Sequence, residues 1–402
     1  MAERAAQVGG SRPRIGVGLV GFGWLGHAHS RAILRLPTLF PDRGFDASLV
    51  IVSDTVEAQR NEAVEAFGYD RATDDWRQVV EDPEVDVVYV AAPNMLHVDV
   101  VEATAAAGKP VFCEKPVGGT PGQTARAAEA ARRTGVLSGV GYNFRWAPVV
   151  QYAAQLVRSG QLGQITNYRG RFFSMYGNDP LGPLSWRYRV EEGGYGVTSD
   201  LLSHAVDMSR MLIGPIRSVV GTTETFIRER PIPGGTGTHY GRGKPGDPTG
   251  EVTNEDYAGM LAVFENGARG TFETSRSIVG PESQMAFDIY GTEGAVSWNF
   301  ERMNELRVYR RGENLDTGYT TVFAGDRFPY HGSFVPGSAN GIGYEDLITI
   351  EDYEFLRALA TGGEFSPGLE DALAWVEVQD ALLRSDRSGS WETVGPVMQE
   401  AA

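Results

Sequence analysis

The chain of 402 residues contains a single cysteine, Cys113, so it can form no intrachain disulfide framework. A reducing cytoplasm is the expected compartment. Basic residues are scarce relative to acidic ones, 36 against 52, for a formal net charge of −16. No basic run offsets this balance, which argues against nucleic acid or an anionic membrane surface as a partner. No apolar run approaches the ~20 residues that span a bilayer. Residues 1–13 lack an apolar core segment and are expected to form a disordered tail, not a signal peptide. Internal repeats are absent, and no metal-ligand motif stands out, so no metal is expected.

Apolar residues are plentiful. At 42% hydrophobic the chain can bury sizeable cores, and its length favours two domains. Short apolar runs at 15–20, 48–53, 85–91, 111–113 and 137–141 alternate with helical patterns, as in a parallel doubly wound sheet. After Arg145 the pattern changes. Segments at 257–264, 268–275, 284–290, 295–298 and 306–309 alternate apolar with polar residues across hairpin-length turns. The expected architecture is α/β. A Rossmann domain over 14–145 precedes an α+β domain over 146–402 with a large open, mostly antiparallel sheet, and the C-terminal helices can pack back on the first domain. Residues 228–252, rich in Gly and Pro, read as one long loop, a lid or an oligomer contact.

Gly21-Phe22-Gly23-Trp24-Leu25-Gly26 follows the first strand and opens a helix. In that context the glycines allow a tight turn and close approach of a pyrophosphate to the helix N-terminus. A carboxylate at the end of the second strand, Asp54, suits ribose hydroxyls and repels a 2′-phosphate, so NAD is expected, not NADP. No basic residue immediately follows Asp54. It lies 28 residues after Gly26, against about 20 in the usual fingerprint; a loop inserted over 37–46 would explain the excess.

Lys115 stands just past the strand 111–113, at the end where open α/β sheets bind ligands. A second polar group is spaced on a predicted helix over 197–212, where Asp200, His204 and Asp207 lie four and three residues apart beside an apolar stripe. That stripe is open to three readings: a solvated helix edge, a metal site, or a proton-transfer pair with His204 as base. Paired with Lys115 to stabilise an alkoxide, His204 would make an alcohol dehydrogenase site across an interdomain cleft. Cys113 reads as packing.

Together the glycine motif, Ala92-Pro93-Asn94 with His97, Glu114-Lys115-Pro116, and Asp200, His204 and Asp207 resemble the glucose–fructose oxidoreductase/inositol dehydrogenase/MocA family over nearly the whole chain. The resemblance implies a catalytic trio of Lys115, Asp200 and His204. It further implies that the cofactor is held by Gly21, Gly23, Trp24, Leu25, Gly26, Asp54, Pro93, Asn94, His97, Glu114, Lys115 and Asn143. Substrate would meet Lys115, Asn143, Arg145, Trp186, Arg187, Asp200, His204 and Tyr344. Pro180 to Arg187, Arg228 to Pro231 and Gly341 to Tyr344 look most like the family's bacterial branch that oxidises levoglucosan and related sugars, with C3 as the suggested position. The open sheet implies a homodimer or homotetramer. Two readings compete with a sugar or cyclitol dehydrogenase: a non-catalytic NAD-binding regulator, and a glycosidase that recycles NAD.

Overall fold

The computed structural model describes residues 12–233, 241–314 and 317–397. The expected tail therefore lies almost wholly outside the described residues. The first unit alternates strands and helices: β1 (Arg14–Val20), α1 (Trp24–Leu39), β2 (Asp46–Ser53), α2 (Glu57–Phe67), β3 (Arg71–Thr73) and α3 (Trp76–Glu81). It continues with β4 (Val87–Val90), α4 (Asn94–Ala106), β5 (Val111–Cys113), α5 (Pro121–Thr134) and β6 (Ser138–Val140). All six strands pair in parallel in the order β3-β2-β1-β4-β5-β6. The reason is written in the strands. β4 reads Val-Val-Tyr-Val with every residue buried, which is what a sheet covered on both faces requires.

After α6 (Pro148–Arg158) comes β7 (Ile165–Ser174), the middle strand of a second sheet. Next are α7 (Val190–Gly193), α8 (Ser203–Leu212), β8 (Ile216–Glu224), β9 (Glu229–Pro231), β10 (Thr249–Glu251), β11 (Tyr257–Phe264) and β12 (Arg269–Ser275). The chain ends with β13 (Ser283–Gly291), β14 (Gly294–Asn299), β15 (Glu305–Arg310), β16 (Tyr319–Phe323), α9 (His331–Phe334), α10 (Tyr344–Thr361), α11 (Leu369–Ser388) and β17 (Glu392–Thr393). Nine strands form this sheet in the order β16-β15-β14-β13-β7-β12-β11-β8-β17, antiparallel except at β7–β12. Its inner face buries Tyr168, Phe172, Met260, Phe272, Met285 and Phe287, each contributing about 1.5–3 kcal/mol. The alternate residues, Arg169 and Arg171 among them, face outward.

The last two long helices return to the first unit. Ile348 of α10 packs on Ala28 and Ala32 of α1, flanked by ion pairs Arg31–Glu345 and Arg35–Asp346 at 2.6 and 2.7 Å. α11 packs on α5 and α8.

Three details depart from the sequence expectations. α1 runs through Pro37 to Leu39, so the connection to β2 is shorter than the loop expected over 37–46. The 228–252 stretch is not one loop, because β9 and β10 pair antiparallel within it; residues 234–240 lie outside the described residues. The helix expected over 197–212 opens as a π turn at Thr198–Leu202. Glu255 accepts hydrogen bonds from the Thr198 amide and hydroxyl at 2.9 and 2.6 Å, and Gln379 donates to the hydroxyls of Thr198 and Ser199.

Candidate active site

The glycine turn between β1 and α1 is built for close approach. Gly21 has φ +94°, and a Cβ there would sit 2.5 Å from the Ala92 nitrogen. Above Gly23 nothing lies within 4 Å of an added Cβ, which leaves room at the helix N-terminus for an anionic group. Asp54 closes the turn from the end of β2, its carboxylate accepting from the amides of Phe22 and Val56 at 2.8 Å each. Arg60 of α2 donates to the Asp54 carbonyl at 2.8 Å, a basic group that the sequence reading, limited to residues adjacent to Asp54, passed over. These features fit a dinucleotide.

β5 ends at Cys113, which is buried; burial and the charge of Glu114 push its thiol up. Two residues on, the Lys115 ammonium donates to Asp200 Oδ1 at 2.7 Å and to the Asp200 carbonyl at 3.2 Å. Tyr176, just past β7, donates to the other carboxylate oxygen at 2.8 Å. Burial pushes the Asp200 carboxyl up, but the charges of Lys115 and Arg187 and these hydrogen bonds hold it well below the usual carboxylate range. Asp200 is therefore an anion and a fixed partner for the ammonium.

His204 lies four residues on, 4% exposed and ringed edge-on by Phe144 and Tyr142 at 4.8 and 5.7 Å. Burial and the nearby Lys115 charge push the imidazole well below its ordinary value, so it is neutral at pH 7. Its Nδ1 has no hydrogen-bond partner among the described residues. The site thus joins a charged lysine, its carboxylate and a neutral imidazole. That set can stabilise an alkoxide and take a hydroxyl proton.

The other expected residues divide. Trp186 and Arg187 line the cleft beside Asp200, with the Arg187 guanidinium 4.5 Å above the Trp186 ring; Asn94 lines it too, donating to the Gly193 carbonyl across the cleft at 3.3 Å. Pro93 caps α4. Tyr344 opens α10, and its ring lies 5.5 Å from that of the exposed Trp24 beside the glycine turn. Gly26 packs within the turn, its missing Cβ 2.2 Å from the Gly21 carbonyl, and Leu25 packs against the small cluster under α10.

Arg145, His97 and Glu114 are occupied elsewhere. Arg145 is buried in a bidentate pair with Asp207 and also donates to Ser366, so its guanidinium braces the second unit and does not line the cleft. Asp207, three residues from His204 on α8, is correspondingly spent on Arg145 and not on the imidazole. His97 spans the carbonyls of Ala92 and Pro116 at 2.7 and 2.9 Å, tying two loops together behind the cleft. Glu114 turns inward to His29. Tyr176 was missed because a Tyr after a strand carries no motif; its place at a strand end followed by Gly177-Asn178-Asp179 was the available signal. Among the described residues no group of three or more His, Cys, Asp or Glu is placed to hold a metal ion.

Fold and site together define an NAD-binding oxidoreductase. Residues 15–142 match the oxidoreductase family with an NAD-binding Rossmann fold, and residues 150–297 match the GFO/IDH/MocA C-terminal domain. The chain is 35% identical to levoglucosan dehydrogenase of Pseudarthrobacter phenanthrenivorans over 94% of its own length and 98% of that protein. It is 26% identical to inositol 2-dehydrogenase of Rhizobium meliloti, over 92% and 96%. The apo structure of a levoglucosan dehydrogenase superposes with a TM-score of 0.91 at 34% identity, covering 96% of this chain and 100% of that one. Its complex with NADH and levoglucosan gives 0.88 at 33% identity, covering 95% and 99%. The chain belongs to the GFO/IDH/MocA oxidoreductase family.

Proposed function

We propose that the chain is an NAD-dependent dehydrogenase of a cyclic sugar, an anhydrosugar such as levoglucosan, or a cyclitol, acting on a ring hydroxyl with C3 the favoured position. The observation that carries this reading is the 2.7 Å pairing of Lys115 with Asp200, one helical turn from a neutral His204. A bound nicotinamide would supply the acceptor for the hydride that leaves the carbinol carbon. Asp54 with the amides at Gly23 to Leu25 would hold the dinucleotide. Lys115 stabilises negative charge on the departing carbinol oxygen. His204 accepts the hydroxyl proton, and Asp200 keeps the ammonium aimed. Trp186 offers an apolar face to C–H surface; Arg187, Asn143 and Tyr176 offer polar groups to ring hydroxyls.

The reading also includes a homo-oligomer. The outer face of the nine-stranded sheet carries Arg169, Arg171, Tyr257, Leu261 and Glu273 around a shallow concavity of about 580 Å³. Leu261 is 51% exposed there, which supports a dimer or tetramer formed through this face. The testing experiment is NAD reduction against a panel of monosaccharides, anhydrosugars, inositols and glycosides. A non-catalytic binder reduces no NAD with any of them. A glycosidase releases an aglycone without net NADH.

A further inference from the structure

Behind the cleft, a histidine unused by this chemistry is buried between two carboxylates. His29 of α1 is 1% exposed. Its Nδ1 lies 2.9 and 3.0 Å from the two carboxylate oxygens of Asp352 on α10, and its Nε2 lies 3.0 Å from Glu114 Oε1. An imidazole held by a carboxylate at each nitrogen donates from both, so it is a cation. Burial pushes it down, but Asp352 and Glu114 outweigh that and hold it well above the ordinary value.

The other groups facing it carry no compensating charge. Glu351, also on α10, is fully buried; burial and the charges of Glu114 and Asp352 push its carboxyl well up, which favours the neutral form. Its Oε1 accepts from Trp146 at 3.3 Å, and its Oε2 has no partner among the described residues. The rings of Tyr89 and Phe112 wall the imidazole at 5.4 and 5.2 Å, and Tyr69, near Asp352, stays a neutral phenol. The Glu114 carboxylate packs against Gly141, where a Cβ would fall 2.7 Å from it. Its second oxygen, Oε2, accepts the main-chain N–H of Lys115 at 3.1 Å. Hydrogen bonds therefore run unbroken from Asp352 through His29 and Glu114 to Lys115, and on to Asp200.

We propose that His29 and Asp352 are positioning residues: the buried imidazolium clamps Glu114, which fixes the backbone at Lys115 and so the ammonium that meets the substrate oxygen. The catalytic part of this inference rests on the dehydrogenase reading of Lys115. The full chain has three lysines, Lys109, Lys115 and Lys244, and six histidines, so selectively labelled side chains resolve by NMR. In the wild type both ring nitrogens of His29 stay protonated through the range where an ordinary imidazole loses a proton; a single N–H overturns the clamp. In His29→Gln the Lys115 side-chain signal moves while those of Lys109 and Lys244 stay. In that variant kcat drops about 10- to 100-fold with KM and NADH affinity nearly unchanged. An unmoved Lys115 signal, or wild-type kcat, overturns the proposal. If His29→Gln does not fold, Asp352→Asn is read the same way, and the wild-type histidine spectrum still decides the charge state. Should the wild type reduce NAD with no sugar, the dehydrogenase reading falls by itself, and the two NMR signals still decide the clamp.

Discussion

The Lys115 ammonium and the Asp200 carboxylate lie 2.7 Å apart although 85 residues separate them in the chain. One comes from the end of a parallel strand in the first unit, the other from a π turn in the second. A substrate that enters this junction meets a cation already fixed in place, which is what electrostatic stabilisation of an alkoxide needs.

Replacing the cation should therefore affect chemistry more than binding. Lys115→Ala is expected to lower kcat about a thousand-fold. NADH affinity, read by fluorescence titration, should stay close to wild type, because the glycine turn is untouched. Turnover near the wild-type rate would remove the lysine from the reaction.

His204 sets the acid limit. Its folded-state value lies well below the ordinary 6.5, so the base is available across neutral pH and is lost only in acid. The acid limb of kcat/KM should accordingly fall clearly below pH 6.5, and His204→Asn should abolish it along with most of the activity. The sign for stability agrees. Below about 6.5 the unfolded chain takes up a proton at this residue that the folded chain does not, so wild-type stability falls there and that of the Asn variant falls less. An acid limb at or above the ordinary value would contradict the buried, neutral imidazole.

In the proposed dehydrogenase, cofactor choice turns on Asp54. Its carboxylate closes the glycine turn by accepting from the Phe22 and Val56 amides, and Arg60 donates to its main-chain carbonyl at 2.8 Å. Asp54→Ser is expected to relax the preference for NAD over NADP by roughly ten-fold, equivalent to about 1.4 kcal/mol. An unchanged ratio of kcat/KM values would mean that another residue reads the ribose.

Arg145 and Asp207 give the opposite profile. Both are buried and paired with each other, so Asp207→Asn leaves the buried guanidinium with only the half-buried Asp371 carboxylate at 3.9 Å and should cost about 3–5 kcal/mol in urea unfolding. NADH affinity of the folded fraction should persist. A stability loss below about 1 kcal/mol would show that the pair is dispensable.

On the outer face of the sheet, Leu261→Arg places a charge among Arg169, Arg171 and Glu273. Sedimentation or light scattering should then report a smaller assembly than wild type; an unchanged mass would remove this face from the interface.

Much of the fold was legible because parallel strands covered on both faces are continuous apolar runs, and β4 and β5 are nothing else. β11 to β15 announced themselves by alternation and hairpin turns, whereas β9, β10, β16 and β17 went unread. So did β8: it reads Ile-Arg-Ser-Val-Val-Gly-Thr-Thr-Glu, only partly buried, and it gains its place from β11 on one side and β17 on the other. Of the candidate site, the pairing of Lys115 with Asp200 across the two units is what their company in the sequence led one to expect. Other partners set by tertiary contact were not legible. Nothing near Arg145 in sequence points to Asp207, nothing near Tyr176 to Asp200, and His29 meets Asp352 across 323 residues. A helical stripe also assumes regular turns. The π turn at Thr198–Leu202 breaks that assumption at the start of the helix that carries the site.

The central claim, that Lys115 from one unit and His204 from the other act on a single carbinol beside NAD, is tested most directly by following NADH formation with the sugar and cyclitol panel in wild type and Lys115→Ala side by side. The account predicts that at least one cyclic sugar, anhydrosugar or cyclitol drives NADH formation in the wild type and none does so at a comparable rate in the variant, while both bind NADH alike. No NADH with any member of the panel, or equal rates in the two proteins, would contradict it.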